Sequence, residues 1–149
     1  MIAHPSELYL SLLRTADPFR FMRNEPVFRQ ISEARRQDLE FAQQTKPEMA
    51  LAGASVYMLP DAPWSRRVRG VFGNELANHS PELAHAILTP NAQGGYTVSV
   101  RAPLGKRMGA DALCRQFATG GGRSTAAGID HLPTDQLREF VRRLDQAFP

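Results

Sequence analysis

Residues 119–133 read TGGGRSTAAGIDHLP, from Thr119 to Pro133. Three consecutive glycines, Gly120, Gly121 and Gly122, run straight into Arg123, then into small residues and a short apolar run. Glycine tolerates positive φ, so successive glycines can turn consecutive backbone N–H groups toward one point. Such a nest binds anions, phosphate above all. Arg123 adds a forked cation able to grip two phosphate oxygens. Ala126 and Ala127 would let the strand that follows, around AAGID, lie close to its neighbours or to a ligand. A bare glycine triplet marks a flexible turn as readily as a site. The anion reading therefore leans on Arg123 following at once and on a second polar element upstream.

That element is VSVRA, within YTVSVRA at 96–102. Strand alternation sends Tyr96, Val98 and Val100 one way and Thr97, Ser99 and Arg101 the other. Ser99 and Arg101 thus share a face, either open to water or aimed into a cleft. LAHAILTP precedes them, closed by NAQGG, and the spacing of 84–89 and 95–102 predicts an antiparallel hairpin.

Outward from this centre, helices and strands are legible in turn. HPSELYLSLLRTADPF has helical spacing at Leu8, Tyr9, Leu12 and Leu13 and stops at TADP. A second helix begins near Pro26, with Phe28, Ile31, Arg35, Leu39 and Ala42 along one stripe and an Arg36–Glu40 surface pair. MALAGASVYML reads as one buried strand stopped by PDAP. WSRRVRGVFGNELANH returns to helical spacing at Trp64, Val68, Val71 or Phe72, and Leu76. Gly70 and Gly73 interrupt it at about 1 kcal/mol each against alanine, so close packing or a ligand should require them. GADALCRQF makes a short helix that packs Leu113 and Phe117. TDQLREFVRRLDQAF closes the chain as a helix with Leu137, Phe140, Val141, Leu144 and Phe148 inward. Arg138, Arg142 and Arg143 fall mostly on its solvated side. The order predicts an α/β (α+β) fold: a small mixed β-sheet of about four to five strands flanked by helices, with an N-terminal helical extension.

Bulk properties narrow the classes. At 149 residues the chain suits one domain, with or without such an extension, and can bury a core without disulfides or a structural metal. The single cysteine, Cys114, excludes an internal disulfide or thiolate cluster and fits a reducing cytoplasm. It sits on the apolar side of a short helix, where an inert buried thiol is expected. No apolar stretch approaches a membrane span and MIAHPSELYLSLLR lacks a signal-peptide pattern, so a cytoplasmic protein without a membrane partner is expected. The net charge is a modest +3, but sixteen arginines stand against only Lys46 and Lys106. Genome composition accounts for most of that excess, so only arginines at a candidate site carry weight.

GNELA, YTVSVRA and TGGGRSTAAG, in that order and spacing, resemble the DHH-associated C-terminal domain. That domain is the second half of DHH phosphoesterases, which include oligoribonucleases (nanoRNases), phosphatases acting on adenosine bisphosphate and single-strand exonucleases; a related module occurs in alanyl-tRNA synthetase. The similarity spans about Met49 to Phe148. It implies a division into 1–48, N-terminal helices forming the linker or tail of a catalytic DHH domain, and 49–149, the substrate-binding domain. It also implies that Arg101, Gly120, Gly121, Gly122 and Arg123, with Asn74 and Ser99, hold the terminal nucleotide or phosphate of a short single-stranded nucleic acid or nucleoside phosphate. The partner would be a DHH domain in cis or trans carrying Mn²⁺ or Mg²⁺. The chain departs from the common pattern in having Arg123 where many members have histidine; arginine keeps a donor and adds permanent charge.

The catalytic half of that family holds its metals with aspartates and histidines, including an Asp-His-His run, and this chain has none. Asp130 and His131 are one adjacent pair, while His4, His79 and His85 are scattered. No catalytic residue and no cofactor is therefore assigned to this chain; metal is expected only in the separate catalytic domain. The leading expectation is a domain that positions substrate. Its rivals are a phosphoesterase active on its own and a structural or oligomerisation module whose glycine loop is merely a turn.

Overall fold

A computed structural model describes residues 26–149, with side chains from Gln30 onward except those of residues 31 and 32. The helix expected over HPSELYLSLLRTADPF lies outside the described residues. The chain divides into two compact units, Met1–Phe41 and Ala42–Pro149. Helix α1 (Pro26–Gln43) starts at a proline, whose fixed φ and missing N–H suit a first helical position. On its surface Arg36 pairs with Glu33 and with Glu40, one turn to either side. All three side chains are more than half exposed, so these pairs add at most about 1 kcal/mol. Of the expected stripe, Leu39 is half-buried, Ala42 buried and Arg35 exposed.

The second unit is built on a mixed sheet of β1 (Met49–Ala50), β2 (Ala54–Met58), β3 (Ala84–Pro90), β4 (Gly95–Arg101), β5 (Gly120–Gly122) and β6 (Ala126–Pro133). Their order is β1-β2-β3-β4-β6-β5. Six strands replace the expected four to five, for two local reasons. MALAGASVYML is two strands, because Leu51 N–H donates to the Ala54 carbonyl at 2.8 Å and folds β1 back antiparallel on β2. The glycine run is also a strand rather than a loop, the outer edge beside β6.

β2 and β3 are parallel, which requires a crossover, and helix α2 (Pro63–His79) supplies it. β3 and β4 form the expected antiparallel hairpin, with Ile87 opposite Ser99 and His85 opposite Arg101. Asn91 closes it: its side-chain oxygen accepts from the N–H groups of Gln93 and Gly95. Helices α3 (Ala110–Cys114) and α4 (Leu137–Ala147), the latter entered through a 3-10 turn at Thr134–Gln136, complete the unit.

Alternation gives the sheet two unlike faces. Val56, Ala86, Leu88, Val98, Val100 and Ile129 look toward α3 and α4, where Leu113, Cys114, Phe117, Phe140, Leu144 and Phe148 join them in one core. Phe117 and Phe140 meet with ring centroids 5.7 Å apart, and Arg143 lies over the Phe117 ring. The opposite face carries Tyr57, Ile87, Ser99 and Arg101. Helix α2 covers it through Val68 and Phe72, with Tyr57 and Phe72 edge to face at 5.5 Å. This cover stops partway across the sheet.

Candidate functional site

Beyond α2 the sheet face lies open, and a cleft of about 390 Å³ forms between the helix and the β4–β6 strands. Asn74, Ala77 and Asn78 from α2 line one wall, Arg101 and Ala126 the floor, and Leu104, Arg107, Arg123 and Thr125 the far side. Among the described residues three guanidinium groups face this space and no carboxylate lines it.

Arg101 is held from several directions. Its Nε donates to Asn74 Oδ1 at 3.1 Å, and one terminal nitrogen donates to Ser99 Oγ at 3.1 Å. The other terminal nitrogen reaches the Gly70 carbonyl at 3.5 Å. These bonds fix the planar group at the root of the cleft while leaving its charge uncompensated. Burial first, and the like charge of Arg123 second, push the Arg101 guanidinium below its usual range. Two cations brought close enough to affect each other are an arrangement that an anion between them would relieve.

Of the glycines that interrupt α2, Gly73 makes room for this side chain. A Cβ on Gly73 would stand 3.3 Å from Arg101 Cγ and 3.4 Å from its Nε, tighter than ordinary contact. A Cβ on Gly70 would meet a terminal nitrogen of the same residue at 3.9 Å, an ordinary contact, so the packing requirement expected of the two glycines holds for Gly73, as a seat for Arg101.

The glycine run acts differently from its first reading. Gly120 N–H donates to the Phe117 carbonyl at 3.0 Å, and Arg123 N–H to the Ala126 carbonyl at 2.9 Å, returned by Ala126 N–H at 3.2 Å. Arg123 and Ala126 therefore close a tight hairpin over Ser124 and Thr125. Antiparallel alternation makes Gly121 and Gly128 the next hydrogen-bonded pair. The Gly120, Gly121 and Arg123 amides are engaged by the hairpin and its flank, while by the same alternation the Gly122 N–H points off the sheet edge, so consecutive amides do not gather as a nest. Local sterics explain the composition instead. Gly122 has φ +137°, and a Cβ there would lie 2.5 Å from Ala127 Cα, while one on Gly120 would overlap the Cys114 carbonyl. Only Gly121 opens onto free space.

Register places Tyr57, Ile87, Ser99, Gly128 and Gly121 in one row across five strands. Phe72 of α2 covers the Tyr57 end. From Ser99 outward the row offers a hydroxyl and two bare glycines, a flat main-chain floor beside the three arginines. Of the expected site residues, Asn74, Arg101 and Arg123 line the cleft and Ser99 bonds Arg101, whereas Gly120, Gly121 and Gly122 form the outer strand that carries Arg123 to its place.

Asn78, Leu104, Arg107 and Thr125 also line the cleft and were not singled out by sequence. Asn78 follows Asn74 by four residues on one helix face, a signal that could have found it. Arg107 sits in the irregular loop between β4 and α3, where no periodicity points. Arg107 and Arg123 have no side-chain hydrogen bond or ion pair among the described residues.

The histidines lie apart. His85 is buried with a ring nitrogen 3.1 Å from the Ser80 carbonyl, His131 shares a hydrogen bond with Asn91 at 3.1 Å, and His79 is exposed; His4 is outside the described residues. Asp130 is exposed on β6. Among the described residues no three metal-binding side chains gather, so they do not fit a divalent metal centre. Cys114 is buried, and its thiol is pushed up to about 12, by burial first and by Asp111 second. No helix of the described residues is long and apolar enough to cross a membrane.

No family model and no curated protein matches the sequence. Solved structures do. RecJ from Thermus thermophilus, in complex with Mn²⁺, superposes on 97% of this chain at 22% identity and a TM-score of 0.66. A pGpG-specific phosphodiesterase from Vibrio cholerae does so over 97% at 12% identity and 0.62, and an exopolyphosphatase-related protein from Bacteroides fragilis over 97% at 17% and 0.57. The chain spans only 22%, 51% and 43% of those proteins, respectively. At 22% identity or less, the likeness shows that this chain shares its fold with part of each of those proteins.

Proposed function

We propose that Ala42–Pro149 is a DHH-associated substrate-binding domain. It holds the phosphate of a nucleotide or short single-stranded nucleic acid in the cleft beside α2. The observation that carries this reading is the cleft's charge: Arg101, Arg107 and Arg123 face one space that no carboxylate among the described residues lines. Arginine forks match phosphate oxygens, and the half-buried Arg101 at the root of the cleft is screened less than an exposed guanidinium would be. Arg101 is immobilised by Asn74 and Ser99, so it sets where the negative charge must sit. Arg123 and Arg107, free of other bonds, close on the ligand. The bare row from Ser99 to Gly121 leaves space for the flat part of a nucleotide.

Positioning is the chemical role. A phosphate clamped here is presented to a separate catalytic domain, where Mn²⁺ or Mg²⁺ supplies the hydrolytic chemistry. The likeness to RecJ and to a pGpG-specific phosphodiesterase supports a substrate of this class.

Fluorescence anisotropy with a labelled short oligonucleotide tests the reading. Arg101→Ala and Arg123→Ala should each weaken binding about tenfold or more. Each should also flatten the dependence of log K on log salt concentration by about one counterion. Equal affinity in the wild type and both variants overturns the proposal.

A further inference from the structure

The open sheet face continues past the cleft along β4 and β6. Beyond Ser99 and Gly128 the next row on that face is about 7 Å further on. There β6 carries two residues, Asp130 and His131, against Thr97 alone, while Ile129 and Leu132 on either side both enter the core. Thr97 Oγ1 donates to the Asp130 carbonyl at 3.1 Å and ties the row together. Asp130 is exposed, and its carboxylate has no hydrogen bond or ion pair among the described residues.

Arg69 stands opposite on α2. It lies one turn before Gly73, the seat of Arg101, on the face of the helix turned to the sheet. Arg69 is half-buried, and its guanidinium also lacks a hydrogen bond or ion pair among the described residues. Its neighbour Arg66 is paired with Asp61. Burial first and Arg66 second hold Arg69 below its usual range, and the charge of Asp130 pulls the other way. A group that can only accept and a group that can only donate thus face each other across a gap wider than an ion pair.

We infer that this gap reads a guanine base whose phosphate is held by Arg101 and Arg123. Guanine N1–H and the 2-amino group donate to Asp130, while O6 and N7 accept the Arg69 fork. The ring lies over Ser99, Gly128 and Gly121, and the space above Gly121 is open. The carboxylate repels a second phosphate, so a base and not a backbone belongs there. Adenine turns its N1 acceptor toward Asp130 and has no O6, so it forfeits most of the set. The inference rests on the phosphate reading and names the base that goes with it.

Calorimetric titration of the full chain with guanosine, inosine and adenosine 5′-monophosphates tests it. The guanosine nucleotide should bind about tenfold tighter than the adenosine one, and inosine monophosphate, which lacks the 2-amino group, should fall between them. Asp130→Ala, at an exposed position, should remove that preference, and Arg69→Gln should reduce it. Arg101→Ala should weaken all three nucleotides alike. Equal affinities in the wild type, or a guanine preference that survives Asp130→Ala, overturns the inference and leaves phosphate binding standing. Absence of binding by all three nucleotides overturns the phosphate reading and the inference with it.

Discussion

The two faces of the sheet are made by the same strands and do opposite work. Val98 and Val100 are sealed against α3 and α4, while Ser99 and Arg101, their alternate neighbours on β4, look into a charged cleft. The sealed face is apolar from β2 to β6. The other face is covered only as far as α2 reaches, and beyond that it turns into hydroxyl, guanidinium and bare backbone. The proposed site therefore lies where helical cover runs out, and the apolar core lies where it does not.

The sharpest way to break that division is in the sealed face. Phe140 is fully buried, and Phe140→Ala should cost about 3–5 kcal/mol in urea unfolding. The remaining folded fraction should still bind oligonucleotide with wild-type affinity. A binding loss larger than the loss of folded protein would mean the two faces are coupled. At the outer strand the comparison sharpens to single glycines. Gly120→Ala must displace the Cys114 carbonyl and should cost about 1–3 kcal/mol, whereas Gly121→Ala, with open space around it, should stay within about 0.5 kcal/mol. If Gly121 is instead the sensitive position, the hairpin account of the run is wrong.

The smallest expected effect concerns His85, under α2 on the half-covered face. Burial is the first cause that holds its imidazole below the ordinary histidine range, outweighing the Ser80 carbonyl and Glu82, which pull the other way. The unfolded chain therefore takes up the proton first as pH falls. Stability should be intact above the ordinary value near 6.5 and decline as pH drops from there toward the depressed folded value. His85→Gln should flatten that decline in thermal melts taken between neutral and mildly acidic pH. An unchanged slope would show that another group sets it.

Much of this arrangement was legible in the chain because side-chain alternation and helical spacing are local. The β3–β4 hairpin, the Ser99–Arg101 face and the inner stripe of α4 each followed from periodicity within one segment. What was missed depended on contacts between segments. MALAGASVYML is mostly apolar, and its one mark of a reversal, Gly53, is a single residue inside a run that otherwise reads as one strand. The glycine run was read for the backbone freedom it allows, but the Cys114 carbonyl and Ala127, which dictate its composition, are distant in pattern and near only in space. Arg107 lies on a loop without period, and only folding brings it to the cleft.

Helix α2 would be a stronger helix with alanine at position 73, by about 1 kcal/mol in its own right. Yet the methyl group would press on the stem of Arg101. An engineer who raised the melting temperature by filling that gap would be tilting the one cation whose direction the cleft depends on. On the proposed reading, thermal robustness and ligand grip are opposed at that single residue, so a library selected for heat resistance alone should drift toward variants that bind poorly.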